Sequence, residues 1–320
     1  MPTRAGGPVF SLHPMKLIPA AHIWMNGEFV PWDQAQVHVL THGLHYGSSV
    51  FEGIRAYRTA RGTAVLALDA HVTRFFNSCK IVNLPLRFDA GEIRTAILET
   101  VKRNRHEHCY IRPLAWRGYG AMGVFPDDCP VEVAVATFPW QGHWGPDARE
   151  KGIDTGVSSW RRMAPDTLPA LAKVAGNYVN SQLVVAEARA HGYHDRLVLD
   201  VEGYVSEGSG QNLFLVHGGK LHTPPIGASI LAGVTRALTI QMAADLGVPV
   251  VQMRIPREML YTAEEVFLTG TASEIMPVKS VDRKPVGSGA RGPITQSLQE
   301  RFFGVLSGEL ADTHGWLTPV

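Results

Sequence analysis

The chain has 320 residues, 45% of them apolar, which is enough to build a full core and argues against a wholly disordered protein. The 30 basic and 29 acidic residues nearly balance, so binding of nucleic acid through bulk charge is not expected. No apolar run approaches the length of a membrane span, and residues 1–14 are expected to be a flexible tail rather than a secretory signal. The three scattered cysteines fit a reducing cytoplasm.

Helices and strands are predicted to alternate along the chain. Asn26-Gly27 between apolar flanks predicts a hairpin, and Asp69 is expected to cap a helix over 69–83. The other helices are predicted at 90–105, 178–191, 235–246 and 294–309. The other strands are predicted at 109–116, 131–138, 195–200, 212–216, 220–223, 248–254 and 265–269.

A stretch rich in Pro, Gly and Trp divides these elements into two groups. Both groups mix strands and helices, so the expected fold class is α/β, of the α+β type, with two domains that meet at a cleft. The predicted division is a small N-terminal domain at 15–137, an interdomain loop at 138–147 and a large C-terminal domain at 148–320.

The chain has only eight lysines, so few residues could act as a nucleophilic amine. Most of them have charged neighbours or lie in turns, whereas Lys173 lies among Leu, Ala and Val. Burial lowers the pKa of such a lysine toward the range in which the free amine is a nucleophile that forms Schiff bases. A lysine that packs its stem on the core and extends its charge into solvent is the alternative for this pattern taken alone.

Two turns of small residues can bind an anion. The segment LAGVTR, which contains Gly233 and Thr235, leads into an apolar-periodic helix whose first N–H groups suit a phosphate. The segment TGTASE follows the predicted strand at 265–269. An ordinary helix cap and a plain strand-to-loop turn are the alternatives for these two segments.

Two further patterns suit a ligand that carries nitrogen and carboxylate groups. Glu207 lies in a Gly-rich loop predicted between two strands, and an acid beside a pyridine nitrogen would keep that nitrogen protonated. Tyr110 and Arg112 alternate on one strand and face the same side, which suits a carboxylate substrate. A solvated turn acid and a surface pair are the respective alternatives. The 14 histidines show no zinc spacing, so no metal is expected.

Six motifs occur together and in order: HYGSSVFEGIRAY, YIRPL, AKVAGNYVNS, GYVSEGSGQNLF, LAGVTR and FLTGTASEIMPV. With this combination the chain resembles the branched-chain amino acid aminotransferases, which are class IV, fold-type IV pyridoxal-phosphate enzymes, from about Ile23 to Trp316. The resemblance implies a large C-terminal domain that binds pyridoxal 5'-phosphate, with the active site at the domain interface. It also implies a cytoplasmic homodimer, or a hexamer built as a trimer of dimers.

The same resemblance implies a role for each matching position. Lys173 would form the Schiff base and move the proton, Glu207 would meet the pyridine nitrogen, and Tyr178 would meet the ring hydroxyl oxygen. The phosphate positions would be Arg74, Val234, Thr235 and Thr271. The substrate pocket would contain Tyr46, Phe51, Gly53, Tyr110, Arg112, Val124, Trp140, Thr271 and Ala272, some of them from the neighbouring subunit.

The implied reaction is ping-pong transamination of L-leucine, L-isoleucine and L-valine with 2-oxoglutarate, which yields branched-chain 2-oxo acids and L-glutamate. The alternatives within the superfamily are D-amino acid aminotransferase, R-selective amine transaminase and aminodeoxychorismate lyase, and Tyr110-Ile-Arg112 favours the L-branched-chain activity. A non-catalytic pyridoxal-phosphate carrier is the alternative of another class. His143 stands where many bacterial relatives carry tyrosine, which leaves the side-chain preference open.

Overall fold

The structure is a computed structural model that describes residues 17–140, 142, 144 and 147–320. The predicted tail at 1–14 and His143 lie outside the described residues. The strands are β1 (His22–Met25), β2 (Glu28–Pro31), β3 (Ser49–Phe51), β4 (Ile54–Thr59), β5 (Gly62–Leu66), β6 (Cys109–Arg117), β7 (Val131–Pro139), β8 (Ile153–Arg161), β9 (Asp195–Leu199), β10 (Tyr204–Glu207), β11 (Asn212–His217), β12 (Lys220–Thr223), β13 (Val250–Gln252), β14 (Ile255–Pro256), β15 (Glu265–Gly270), β16 (Glu274–Val281), β17 (Lys284–Pro285) and β18 (Leu317–Pro319). The α-helices are α1 (His42–Tyr46), α2 (Leu68–Ile81), α3 (Ala90–Arg103), α4 (Ala148–Lys151), α5 (Tyr178–Ala190), α6 (Val234–Asp245), α7 (Met259–Thr262) and α8 (Pro293–Ser307).

The strands form two sheets, one in each domain, as the predicted two-domain α/β fold requires. The first sheet has the order β18-β5-β4-β6-β7-β1-β2, with β3 also paired to β6, and its pairs are antiparallel. The second sheet has the order β13-β12-β11-β15-β16-β8-β9-β10-β14, with β17 on β16. It is mixed, because β8 runs parallel to both β9 and β16, and β12 runs parallel to β13.

The first domain buries one face of its sheet under two helices. The hairpin predicted at Asn26-Gly27 is confirmed, since β1 and β2 pair in register across these two residues. Helices α2 and α3 place apolar side chains such as Phe75 and Ile97 in the core of this domain. The apolar spacing that predicted both helices therefore reports the face that packs on the sheet.

The predicted cap at Asp69 is wrong. Helix α2 begins one residue earlier than predicted, its N-cap is Ala67 in a left-handed conformation (φ 50°), and no side chain caps it. Asp69 instead lies in the first turn and forms an ion pair with Arg94, with 3.0 Å between Oδ1 and Nε. Leu68, the first residue of the helix, is buried in the core. The packing of this side chain, and not a polar cap, therefore determines where the helix begins.

The sequence prediction missed several strands of the second domain, among them β8, β10 and β16. Tyr204–Glu207, predicted as part of a loop, forms β10, and the unpredicted β16 pairs with β15 along its length. Strand β16 contains Pro277, a residue that normally argues against a central strand and so conceals this one in the sequence. Glu207 of β10 lines the cavity described below, and β16 follows directly after the turn that lines it.

The C-terminus returns to the first domain. Strand β18 pairs with β5, with Leu317 opposite Leu66, and Trp316 packs in an apolar cluster that includes Tyr57 of the first sheet and Phe302 of α8. The two domains are therefore joined by a shared apolar cluster. Among the described residues, no helix combines the length and the apolar character needed to cross a membrane.

Candidate active site

A cavity of about 610 Å³ is lined by residues of both domains. The lining includes every residue predicted to hold the cofactor and most of those predicted for the substrate pocket: Arg74, Lys173, Tyr178, Glu207, Val234, Thr235, Thr271, Phe51, Gly53, Tyr110, Arg112 and Ala272. The structure thus brings together residues that are up to 221 positions apart in the chain, from Phe51 to Ala272.

Lys173 lies in the segment between β8 and α5, and its backbone is fastened to the first domain. Its N–H donates to the Ser78 hydroxyl at 3.0 Å, and its carbonyl accepts from the Phe51 N–H at 3.1 Å. Its amine donates to the Tyr178 hydroxyl at 2.5 Å and lies 4.8 Å from the centre of the Phe51 ring. The amine is therefore held at one place in the cavity by groups from both domains.

Glu207 ends β10 instead of lying in a solvated loop, and it is buried. The pairing of β10 with β9 shifts register just before it, a change that alters where a side chain points. Arg162 contacts its Oε1 at 2.7 Å, and Asn212 Nδ2 and the Leu231 N–H donate to its Oε2 at 3.1 Å each. Burial, only partly offset by the Arg162 guanidinium, raises the pKa of Glu207.

Arg74 on α2 is held by a buried carboxylate. Its Nε and Nη2 donate to Glu52 at 2.7 and 2.8 Å, and its Nη1 donates to the Ala232 carbonyl at 3.0 Å. His71 adds a third contact to Glu52, at 2.8 Å. Burial alone would raise the pKa of Glu52, but the Arg74 guanidinium together with His71 outweighs it and holds the pKa well below its usual range. Arg74 is thus a fixed cation that points into the cavity.

The N-terminus of α6 faces the same cavity. Gly233 is the N-cap and no side chain caps the helix, so its first N–H groups are available to an anion at the positive end of the helix dipole. A Cβ on Gly233 would lie 1.9 Å from the Asn212 amide oxygen, so only glycine fits beside Asn212. The predicted anion site at Val234 and Thr235 therefore has the required backbone.

The predicted small-residue turn connects two strands. Thr271, Ala272 and Ser273 form the three-residue turn between β15 and β16, and all three line the cavity. Thr269, just before it, has a buried hydroxyl with no hydrogen-bond partner among the described residues. This turn is the second place where backbone N–H groups can meet an anion.

Another part of the cavity wall is formed by aromatic rings and the guanidinium of Arg112. Tyr110 and Arg112 both line the cavity, which confirms that they share a face of β6. The Arg112 guanidinium lies 4.5 Å from the Phe51 ring centre and 5.2 Å from that of Tyr110. A Cβ on Gly53 would lie 1.9 Å from the Tyr110 hydroxyl, so the glycine makes room for this tyrosine.

Three predicted pocket residues do not line the cavity. Trp140 packs against Tyr110, with 5.0 Å between ring centres, and so stands behind the aromatic wall. Tyr46 and Val124 lie on the outer surface, where Val124 is 87% exposed. The two are linked, because the Tyr46 hydroxyl accepts from the Gly123 N–H at 3.1 Å.

Tyr46 and Val124 belong to an exposed apolar surface, which we name the apolar rim. Its members are Val37, Val39, Leu40, Leu44, Tyr46, Tyr119, Met122, Val124 and Phe125. His42 on α1 joins its two segments, since its Nε2 lies 2.8 Å from the Gly123 carbonyl. Exposed apolar side chains on two segments that contact each other are typical of a protein interface.

The sequence matches the family described as amino-transferase class IV over residues 49–281. It is 47% identical over 302 residues to a branched-chain-amino-acid aminotransferase of Salmonella typhimurium, covering 94% of this chain and 98% of that one. The crystal structure of the Escherichia coli branched-chain amino acid aminotransferase superposes with a TM-score of 0.92 at 47% identity, covering 93% of this chain and 98% of that one. The chain belongs to the class IV aminotransferases, and within them to the branched-chain-amino-acid aminotransferases.

A third relative shows what such an aminotransferase binds. The T.th. branched-chain amino acid aminotransferase, in complex with N-(5'-phosphopyridoxyl)-L-glutamate, has a TM-score of 0.90 at 47% identity and covers 94% of this chain and 99% of that one. The chain described here is therefore a transaminase whose fold and family match the resemblance stated from its motifs.

Sequence reasoning missed the groups that hold the site residues of this aminotransferase. Glu52 and His71 fix Arg74, while Arg162 and Asn212 fix Glu207. Glu52 and Asn212 lie inside the quoted motifs, so the motifs contained a signal for them. Arg162 carried no such signal, since it is one of a pair of adjacent arginines and only its contact with Glu207 distinguishes it.

Proposed function

We propose that this aminotransferase holds pyridoxal 5'-phosphate on Lys173 as a Schiff base and transaminates L-leucine, L-isoleucine and L-valine with 2-oxoglutarate in a ping-pong reaction. The observation that carries the proposal is that one cavity contains a lysine amine, a buried carboxylate and two anion-binding turns. These groups match the carbonyl, ring nitrogen and phosphate of the cofactor. Pyridoxal phosphate, when bound, supplies the carbonyl that condenses with amines and the ring that takes up electrons from the substrate's Cα.

The residues present fit this cofactor. The unpartnered Thr269 hydroxyl and the uncapped N-terminus of α6 leave donors free inside the cavity, as a phosphorylated ligand requires. Glu207 has free acceptor capacity beside its contacts with Arg162 and Asn212. Arg74 would hold the phosphate together with Val234, Thr235 and Thr271.

The protein's own groups then have distinct tasks. Lys173 is the only lysine among the described residues that line the cavity, so it is the group that takes a proton from the substrate's Cα and returns it on the other side of the reaction. The Tyr178 hydroxyl holds that amine in position. Glu207, which is paired with Arg162, would accept a hydrogen bond from the ring nitrogen of the bound cofactor and would keep that nitrogen protonated.

The same pocket must accept an aliphatic side chain and, in the second half-reaction, a side-chain carboxylate. Phe51 and Tyr110 offer apolar ring surface for the first, and Arg112 offers a cation for the second. The substrate's own carboxylate would bind at the turn that contains Thr271 and Ala272. A pocket with both kinds of surface suits the exchange of a branched-chain amino acid for glutamate.

We further propose that the enzyme is at least a homodimer, and that its apolar rim covers the same region of a second copy. Tyr46 and Val124 are outer residues of the single chain, and burying nine exposed apolar side chains favours association. In such a dimer, Tyr46 and Val124 would complete the partner's substrate pocket. A hexamer, as a trimer of dimers, is the larger assembly that the family resemblance allows.

The attachment of the cofactor is tested by borohydride reduction of the protein loaded with pyridoxal phosphate, followed by peptide mass mapping. The expected result is a phosphopyridoxyl mass on the peptide that contains Lys173 and none on the other lysine peptides. Protein that takes up no cofactor, or a label on another lysine, would contradict the assignment.

The substrate class is tested with a panel of L- and D-amino acids and 2-oxoglutarate. L-leucine, L-isoleucine and L-valine should react fastest, and initial rates at varied concentrations of both substrates should give the parallel double-reciprocal lines of ping-pong kinetics. A preference for D-alanine over L-leucine would favour the D-amino acid alternative. Release of pyruvate from a chorismate-derived amine would favour the lyase.

A further inference from the structure

Glu274 ends the turn that contains Thr271 and Ala272. It is the first residue of β16, it faces Gly270 across the hairpin, and its backbone is in the left-handed region (φ 55°). A residue in the left-handed region beside a hairpin turn is usually glycine, because a Cβ is disfavoured there. A glutamate at this position is strained, and strain that persists calls for a functional explanation.

The carboxylate of Glu274 is buried and joins three groups. It accepts from Arg55 Nη1 at 2.7 Å and from the Tyr57 hydroxyl at 3.2 Å through Oε1, and from Arg149 Nη2 at 2.5 Å through Oε2. Arg55 is 3% exposed and extends the cluster to His108, with 2.5 Å between its Nη2 and the ring Nε2. The strained residue is therefore the centre of a network that is buried at Arg55 and Tyr57 and reaches the surface at Arg149 and His108.

This network connects the two walls of the cavity. Arg55 and Tyr57 lie on β4 of the first domain, two and four residues after the wall residue Gly53. Glu274 lies two residues after the turn residue Ala272 of the second domain. The Arg55–Glu274 pair thus joins the two domains, and each of its members lies two residues along the chain from a residue that lines the cavity.

We propose that Glu274 is a positioning residue, whose contact with Arg55 holds the Thr271–Ser273 turn at the spacing needed to bind a substrate carboxylate. A turn that ends in a left-handed residue can direct successive backbone N–H groups to one side, as an anion requires. The carboxylate of Glu274 holds that conformation in place of a glycine and ties it to the other domain. The proposal rests on the proposed function, because the ligand is that reaction's amino or 2-oxo acid.

The test compares Glu274→Gln and Glu274→Gly with the wild type, all as cofactor-loaded protein. The probe is 4-methylvalerate, a branched carboxylic acid that has no amine and cannot react, and its dissociation constant is measured by titration calorimetry. Both variants should bind it about tenfold to 100-fold more weakly, since small displacements of positioned groups have effects of this size. The KM values for L-leucine and 2-oxoglutarate should rise by a similar factor while kcat changes little.

Two controls separate positioning from general destabilisation. Glu265→Gln removes another buried carboxylate at the far end of β15, where it accepts from the Ile294 and Thr295 N–H groups on α8, and should leave the affinity for 4-methylvalerate unchanged. The double variant Arg55→Met/Glu274→Met removes both buried charges, and Arg149, which loses its partner, is 46% exposed and stays solvated. It should fold and still bind the acid weakly.

The outcomes are distinguishable. Wild-type affinity for 4-methylvalerate in Glu274→Gln and Glu274→Gly, or in the double variant, would overturn the positioning role, as would an equal loss in Glu265→Gln. If the wild type binds 4-methylvalerate but transaminates no amino acid, the proposed function fails while the positioning role is still judged on affinity. If the wild type does not bind the acid, the positioning role fails, while the proposed function is judged on the amino acid panel.

Discussion

Two regions around the cavity are built in opposite ways. The anchor region, which comprises Arg74, Lys173, Glu207 and the N-terminus of α6, is held within the single chain by buried hydrogen bonds and ion pairs. The apolar rim, which includes Tyr46 and Val124, lies open on the surface. The charged groups of the anchor region find all their partners within one chain. The apolar side chains of the rim are left exposed by the described part of the chain.

The chemistry of each region explains the difference. A buried charge is costly unless its partners are present, so Arg74 and Glu207 need Glu52 and Arg162 from the same chain. Apolar groups need only be covered, and a second copy can do this. The comparison suggests that loading of the cofactor depends on the chain alone, whereas substrate affinity depends on assembly.

The strongest test of the anchor region is Lys173→Ala, which we expect to lower kcat by about 10⁴-fold or more, because general acid–base and covalent catalysis are lost together. Stopped-flow absorbance with L-leucine would follow the first half-reaction. Lys80→Ala, an exposed lysine on α2, is the matched control and should retain wild-type turnover. A variant at position 173 with near-normal kcat would remove Lys173 from the mechanism.

Glu52→Gln should have the next largest effect, because it leaves Arg74, whose side chain is only 12% exposed, without its carboxylate. We expect a loss of about 3–5 kcal/mol in the free energy of unfolding, measured with urea, and weaker retention of pyridoxamine phosphate. Glu92→Gln on the exposed start of α3 preserves the capping box and should change stability by less than about 0.5 kcal/mol. Equal stability of the two variants would show that Glu52 does not support the anchor region.

Asp195→Asn tests how much the burial of the Asp195 carboxylate, next to the cavity residue Ser209, lowers the free energy of unfolding. Asp195 accepts from the cavity residue Ser209 at 3.0 Å, and burial raises its pKa from 3.8 to about 6. The native state therefore holds the proton to a higher pH than the unfolded chain, and this group lowers stability as the pH rises from about 4 to 6. Asp195→Asn should gain up to about 3 kcal/mol over the wild type above pH 6 and little at pH 4. A pH-independent difference in urea unfolding would contradict this account.

Val124→Asp should have the smallest effect on the chemistry and the clearest effect on assembly. A carboxylate in the apolar rim should weaken self-association about tenfold to 100-fold, measured by analytical ultracentrifugation, and should raise the KM for L-leucine at low protein concentration. Val201→Asp, on an exposed turn after β9, is the control. Unchanged association of Val124→Asp would place the interface elsewhere.

Much of this site could be predicted from the sequence, because its motifs lie in segments whose geometry depends on residues close together in the chain. The glycine and the apolar period predict the start of α6 at 235, within one residue of the observed Val234, and strand alternation predicts the shared face of Tyr110 and Arg112. The start of α2 was mispredicted at Asp69 because buried Leu68 determines it. Glu207 was predicted in a loop because the pairing that makes β10 a strand comes from β9 and β14.

By itself the sequence determined the family, the fold class and the identity of Lys173 as the amine in an apolar run, since each depends on residue types and their local spacing. Tertiary structure alone decided which buried groups hold those residues. Arg162 meets Glu207, and Glu274 meets Arg55 across 219 positions, because a buried ion takes its partner from whatever element packs against it. Such partners share no spacing in the sequence, so only the packing of the folded chain reveals them.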